Sequence, residues 1–204
     1  MSAPLMLGLI AAIAYLTGSI SFAIIVSRLR GIDDPRTYGS QNPGATNVLR
    51  SGDKLAAGLT LLGDAAKGLI VVLVVQPLAP LMLPPAMQPT AVALAAFSVF
   101  LGHLFPVYFR FQGGKGVATA FGVLLALDWP MGLAAGLIWL TVAKLGKISS
   151  LAALSAAATA PVIAYWRHGL DVLFWAVAGI AVLLIIRHRK NIVQLLSGSE
   201  ASFR

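Results

Sequence analysis

The sequence predicts an all-α integral membrane protein with seven transmembrane helices, the N-terminus outside, the C-terminus cytoplasmic, and short fourth and fifth helices. Three observations lead there. Of 204 residues, 58% are hydrophobic and 11% charged, with a mean hydropathy of +0.87, whereas a soluble domain carries about 25% charged residues to clothe its surface. The apolar residues gather into runs near the ~20 residues that cross a bilayer as helix. The Lys and Arg residues fall in alternate loops, as the positive-inside bias requires.

Leu5 to Val26 is the first run. No basic residue precedes it and no small-residue cleavage site closes it cleanly, so it is read as a retained helix rather than a signal peptide. Leu55 to Val75 and Thr90 to Phe109 each match one span. Val117 to Leu127 and Met131 to Ala143 are each shorter than the ~17 residues a span usually needs, and Asp128, Trp129 and Pro130 separate them. Charge decides whether they form one pass or two. Arg28, Arg30, Arg36, Arg50, Lys54, Arg110, Lys115, Lys144, Lys147, Arg187, Arg189 and Lys190 share one side only if both cross. The loops around Pro77 to Pro89 and Asp128 to Pro130 carry no basic residue, and the loop after Tyr165 carries only Arg167. Merging the two runs would place Arg187 to Lys190 outside, so two short, tilted or membrane-thinning helices are expected. Leu151 to Trp166 and Val172 to Ile186 complete the set. Residues 1–204 then form a single transmembrane domain, with no room for a separate soluble one. The net charge of +8 is explained by topology before nucleic acid, and the absence of Cys excludes thiol catalysis, thiolate metal sites and disulfides.

Three polar segments interrupt this apolar chain, and lipid has no use for such residues. In Gly39 to Arg50 (GSQNPGATNVLR), Asn42 is expected to cap a helix with Pro43 at its first position, and helix N-termini bind phosphate. Thr46, Asn47 and Arg50 then lie one turn apart, able to face a common anion; the alternative is a capped interfacial helix whose Arg50 meets lipid headgroups. Gly102 to Gly116 (GHLFPVYFRFQGGKG) runs from His103 through Pro106 to Gly113, Gly114, Lys115 and Gly116. Its glycines let backbone N–H groups approach an anion and Lys115 adds a movable charge, although the spacing is not a Walker A loop and a plain turn is the simpler reading. For His103 the simpler reading is satisfaction of a backbone group. In Arg187 to Glu200 (RHRKNIVQLLSGSE), His188 and Asn191 share one helical face, against the plainer reading of a basic anchor to anionic lipid. The same topology brings all three segments to one membrane face. Within the second run, Asp64 and Lys67 have the spacing of a structural ion pair rather than a proton relay. Ser149 and Ser150 either donate to a ligand or cap the sixth helix.

The three segments closely resemble the motifs of the bacterial acyl-phosphate:glycerol-3-phosphate acyltransferases, the PlsY family, with the second motif running on to Thr119. Together they cover about a fifth of the chain. The resemblance implies a seven-helix fold in the bacterial cytoplasmic (inner) membrane with the active site facing the cytoplasm. It also implies transfer of a fatty acyl group from acyl phosphate, rather than acyl-CoA or acyl carrier protein, to the 1-hydroxyl of glycerol 3-phosphate. On it, Ser40, Arg50, Lys115, His188 and Asn191 are the catalytic candidates. Asn42, Gly44, Thr46, Asn47, His103, Gly113, Gly114, Gly116 and Glu200, joined by Ser149 and Ser150, are the candidates for substrate and phosphate binding.

The residues suit that chemistry when read alone. Two phosphorylated substrates need cations and N–H donors, which Arg50, Lys115 and the helix starts after Asn42 and Gly114 offer. No metal or other cofactor is expected, because paired carboxylates at the inner face are missing apart from Asp33 with Asp34 and the isolated Glu200. Nor does Asp stand five residues after His103 or His188; Tyr108 and Val193 do. Acyl phosphate is an activated anhydride, so positioning and charge stabilisation suffice, a substrate phosphate oxygen can take the hydroxyl proton, and Ser40 is read as a hydrogen-bond donor rather than a nucleophile. The partners inferred are the two substrates and membrane lipid, with no nucleic acid and no protein. Two rivals stand beside this reading: a transporter or channel for phosphorylated metabolites, suggested by the broken helices and the buried Asp64 and Lys67, and a non-catalytic binder of lipid headgroups.

Overall fold

The computed structural model describes residues 2–202, and among these every regular element is helical. In chain order the α-helices are α1 (Ala3–Gly18), α2 (Phe22–Leu29), α3 (Ala45–Leu49), α4 (Lys54–Met82), α5 (Gln88–Leu104), α6 (Val117–Leu127), α7 (Trp129–Gly146), α8 (Ser149–His168), α9 (Val172–Arg187) and α10 (Arg189–Leu196). Five stretches are long and apolar enough to cross a membrane: Ala3–Leu29, Lys54–Met82, Pro85–Phe109, Trp129–Gly146 and Ser149–His168. Counting α9 and α10, which meet at a 60° bend, as one broken span gives a sixth, while Val117–Leu127 is shorter. The seven expected runs are all helical; the structure supports five or six of them as spans.

α5 is the hub. The stretch that contains it is the most enclosed of the five, 61% buried, with α1, α4 and α9 packed around it. Val99, Phe100 and Leu104 of α5 meet Val72, Val123, Ile180 and Leu184 in the main core. Lipid provides no hydrophobic force between helices, so small residues must bring backbones together. A Cβ at Gly18 would lie 2.1 Å from the Val99 carbonyl oxygen, and one at Gly122 would lie 2.0 Å from that of Ala65. The α1–α5 and α4–α6 pairs depend on those two glycines. Leu62, Leu137, Leu140 and Val182 stay exposed on the outer surface.

Four local features differ from, or sharpen, the expectation. The first apolar run breaks at Ser19–Ser21 into α1 and α2, and the carbonyl freed at Ile20 accepts a 2.6 Å hydrogen bond from Lys67 Nζ. Lys67 also forms the expected pair with Asp64 at 2.9 Å, both side chains 3% exposed, so the two buried charges answer one another and a broken helix. α4 continues through Pro77 and Pro80 to Met82, rather than ending before Pro77, because proline in the last turns removes only one backbone bond at each position. At the predicted break, Asp128 ends α6 and caps α7 by accepting from the Met131 N–H at 3.2 Å, while Arg167 and His168 from the end of α8 meet the same carboxylate.

Candidate active site

Between α4, α6, α7, α8 and α9 lies a cavity of about 580 Å³ with two chemically distinct ends. Ser40, Asn42, Thr46, Arg50, Lys115, Ser149, Ser150, His188, Asn191 and Glu200 form one; Leu62, Phe121, Leu124, Leu140, Ala157 and Ile180 belong to the apolar other. Residues from all three polar segments therefore meet, although the first and last lie some 150 positions apart in the chain.

The loop before α3 is organised from inside. Asn47, 2% exposed, accepts the Ser40 N–H on Oδ1 at 2.9 Å, and its Nδ2 donates to the Pro35 and Tyr38 carbonyls at 2.7 and 3.2 Å. Its amide is thus spent on shaping the loop, and Thr46 and Arg50 supply the polar groups that its turn turns toward the cavity. Thr46 Oγ1 lies 3.2 Å from Ser149 Oγ and links α3 to the start of α8. Asn42 is not the helix cap: α3 begins at Ala45 with Gly44 in the cap position. The chain stays extended at Gly44 and leaves the Asn42 side chain on the cavity wall.

The glycine loop is held from behind. Gly113 and Gly114 are buried behind the residues that line the cavity. The Gly114 N–H donates to the His103 carbonyl at 3.2 Å. A Cβ at Gly113 would lie 2.2 Å from that carbonyl oxygen, and one at Gly114 would lie 2.3 Å from His103 Nε2. The glycines allow this loop to pack closely on His103. Arg187 completes the clamp, donating to the Gly113 and Gly114 carbonyls at 2.8 and 3.0 Å over the Phe105 ring. Gly116 takes a left-handed φ of +90° as the cap of α6, so the first N–H groups of that helix and Lys115 border the cavity. His103, although buried, lines the cavity together with Asp64, its Nδ1 3.6 Å from Asp64 Oδ1.

The third segment crosses the same end. His188 Nδ1 pairs with the Leu184 carbonyl at 2.8 Å; a carbonyl only accepts, so Nδ1 carries the proton and Nε2 remains for the cavity. Asn191 accepts from Lys115 Nζ on Oδ1 at 2.5 Å and donates to Glu200 Oε1 at 2.7 Å. Ser150 donates to the same Glu200 oxygen at 2.7 Å. Burial lowers the Lys115 ammonium to about 8, with Arg50 and Arg187 adding to the fall and Glu200 opposing it. Arg50 and Lys115 make this a cationic mouth over an apolar interior.

A family model described as glycerol-3-phosphate acyltransferase matches residues 8–198. The chain belongs to the glycerol-3-phosphate acyltransferase family. A glycerol-3-phosphate acyltransferase of Ralstonia pickettii is 58% identical over 92% of this chain and 89% of its own. One from Neisseria meningitidis is 55% identical over 93% of this chain and 94% of its own. The crystal structure of PlsY (YgiH), an integral membrane glycerol 3-phosphate acyltransferase, in its glycerol 3-phosphate form, superposes with a TM-score of 0.88 at 33% identity, covering 98% of this chain and 96% of that one. Its lysophosphatidic acid form gives 0.87.

As a member of the glycerol-3-phosphate acyltransferase family, the chain is a membrane acyltransferase. Two residues of the candidate site have contacts that local spacing does not indicate. Arg187 reads from the sequence as a topological charge one helical turn from Asn191, yet it fixes the loop that carries Lys115. Glu200 entered through the motif alone, and nothing in its spacing indicated the bridge between Ser150 and Asn191.

Proposed function

We propose that this chain transfers a fatty acyl group from acyl phosphate to the 1-hydroxyl of glycerol 3-phosphate, giving 1-acylglycerol 3-phosphate and inorganic phosphate. The reading rests on one observation: a single cavity joins a cationic, N–H-rich end to an apolar interior. An acyl phosphate has that same division along its length, and glycerol 3-phosphate adds a second anion for the polar end.

In this mechanism Arg50, Lys115 and the start of α6 hold the two phosphates, which brings the 1-hydroxyl to the acyl carbon. The hydroxyl oxygen forms the new ester bond, the bond from the acyl carbon to phosphate oxygen breaks, and the departing phosphate takes the hydroxyl proton. His188 Nε2 and the Asn191–Glu200 pair orient the acceptor, while Ser40, Asn42 and Thr46 hydrogen-bond phosphate oxygens from the opposite side. Charge developing on the leaving phosphate is met by cations already in place. The orientation that suits this has the polar end at the cytoplasmic side of a bacterial inner membrane, with all seven apolar helices embedded. A transporter would need the cavity to open on both faces, and its buried Asp64 and Lys67 are already paired with each other.

The direct test supplies purified protein with glycerol 3-phosphate and either acyl phosphate, acyl-CoA or acyl carrier protein thioester. Stoichiometric 1-acylglycerol 3-phosphate and phosphate from acyl phosphate alone is expected. Product formed from a thioester and not from acyl phosphate would overturn the donor assignment.

A further inference from the structure

The apolar arm of the cavity has a floor. Leu124 of α6, Ala135 of α7, Ala160 of α8 and Val177 of α9 line it, and they pack with Met131 and Ala164 into a separate core cluster in which no member exceeds 5% exposure. Two helices give its depth independently. On α8 the polar end begins at Ser149 and the floor lies at Ala160; on α9 the polar end is His188 and the floor is Val177. Both pairs are eleven residues apart, which at 1.5 Å per residue is ~16 Å. Saturated carbon bonds of about 1.5 Å at about 111° advance about 1.25 Å per carbon, so an extended chain meets the floor after about 13 carbons.

We propose that this floor is a molecular ruler that sets the preferred acyl-chain length at about 13 carbons. The inference rests on the acyl-phosphate reading above and adds its specificity. Chains that reach the floor bury every methylene, and each buried methylene contributes about fourfold in affinity. Longer chains gain nothing further inside: they must bend back toward Leu62 and Leu140, which line the cavity while being 67% and 60% exposed on the outer surface. The floor is built from small residues on α7 and α8, so single substitutions can raise it, and a large one on α6, so truncation can lower it.

The test is a chain-length profile of kcat/KM for saturated acyl phosphates, run on wild type, Ala160→Phe and Leu124→Ala. Ala160→Phe raises the floor and moves the optimum to chains about three carbons shorter, with the ratio of long to short substrates falling about fourfold per methylene displaced. Leu124→Ala lowers the floor and moves the optimum the other way. A second series, thermal stabilisation by alkyl phosphates of graded length, reads the depth without turnover and shows whether each variant is folded. Opposite shifts in the two variants support the ruler. Profiles that superimpose on wild type in folded variants, or that shift in the same direction, overturn it. If alkyl phosphates show the shifts while acyl phosphate is not turned over, the ruler stands and the donor assignment fails.

Discussion

Asn191 and Glu200 are joined by a 2.7 Å hydrogen bond from Nδ2 to Oε1. A carboxylate only accepts, so this bond fixes which way the Asn191 amide faces and turns its oxygen toward Lys115 Nζ. Glu200 thereby acts on Lys115 twice, through the oriented amide and through its charge, which favours the protonated ammonium. A tail residue outside the helices so governs the cation of the glycine loop.

Lys115 titrates near 8 because burial disfavours its charge. In the proposed mechanism the charged form binds phosphate; it is present below that value and lost above it. The expected result is a kcat/KM that falls as pH rises through about 8, while kcat holds to higher pH because bound phosphate restores the charge. Lys115→Arg, whose guanidinium stays charged, should lose this alkaline limb even if its overall rate drops. An unchanged limb in the arginine variant would assign it to another group.

Glu200→Gln keeps an oxygen for Asn191 and Ser150 but removes the charge that supports Lys115. The alkaline limb of kcat/KM should therefore move to lower pH than in wild type. Glu200→Ala also leaves the Asn191 and Ser150 donors without their acceptor, at about 1–3 kcal/mol for buried groups, and should lower the melting temperature as well. Coincident pH profiles for wild type and Glu200→Gln would disprove the electrostatic link.

Truncating either of the two cations proposed to bind phosphate should lower activity steeply and leave the fold intact. Arg50 is exposed toward the cavity and Lys115 is partly so, and neither belongs to a core cluster. Loss of one charge-assisted contact of about 1.5–3 kcal/mol corresponds to about ten- to a hundredfold in rate. Arg50→Ala and Lys115→Ala assayed at saturating and limiting glycerol 3-phosphate give the measure; turnover near wild type in either removes that residue from the site.

Apolar run lengths and charge parity carried the helical segments in the sequence, and irregular polar composition marked the three segments that meet at the cavity. Asp64 with Lys67 was legible because the two sit three apart on one helix. The rest depended on tertiary contacts that local spacing does not encode. Asn42 looks like a cap, yet the extended chain at Gly44 delays the helix to Ala45. Nothing in the spacing of Gly113 and Gly114 announces how closely they approach the His103 carbonyl and ring. The partner of Arg187 is a backbone 73 residues away, beyond any periodicity. The split of α1 from α2 is met by Lys67 from another helix.

The proposed orientation puts the glycine loop and the basic end of α9 on the cytoplasmic side. This Cys-free chain suits single-cysteine labelling, and the structure directs it to exposed positions rather than to Gly114, where any side chain meets His103. Gln112→Cys and Arg189→Cys should react from the cytoplasmic face and Ala86→Cys from the other, all three positions being exposed. Labelling of positions 112 and 189 from opposite faces would sink the seven-pass arrangement.

Catalysis should proceed without a metal and without an acyl-enzyme. Among the described residues two carboxylate side chains border the cavity, Asp64 and Glu200; Asp64 is paired with Lys67, and one Glu200 oxygen is taken by Ser150 and Asn191. Among the described residues no three His, Cys, Asp or Glu side chains group as a metal site would need. Ser40 would have to be activated by a base to act as a nucleophile, but the hydrogen bond that it makes to Asn47 is through its backbone N–H. His188 already spends Nδ1 on Leu184 rather than on an orienting carboxylate. Activity is therefore expected to survive exhaustive chelation. Ser40→Ala should retain measurable turnover with a raised KM, since it loses one hydrogen bond of about 0.5–1.5 kcal/mol. Wild-type protein given acyl phosphate without glycerol 3-phosphate should carry no acyl group in intact-mass spectrometry. A stoichiometric acyl adduct on Ser40 would overturn direct attack, and activity lost on chelation and restored by a single metal would overturn the metal-free mechanism.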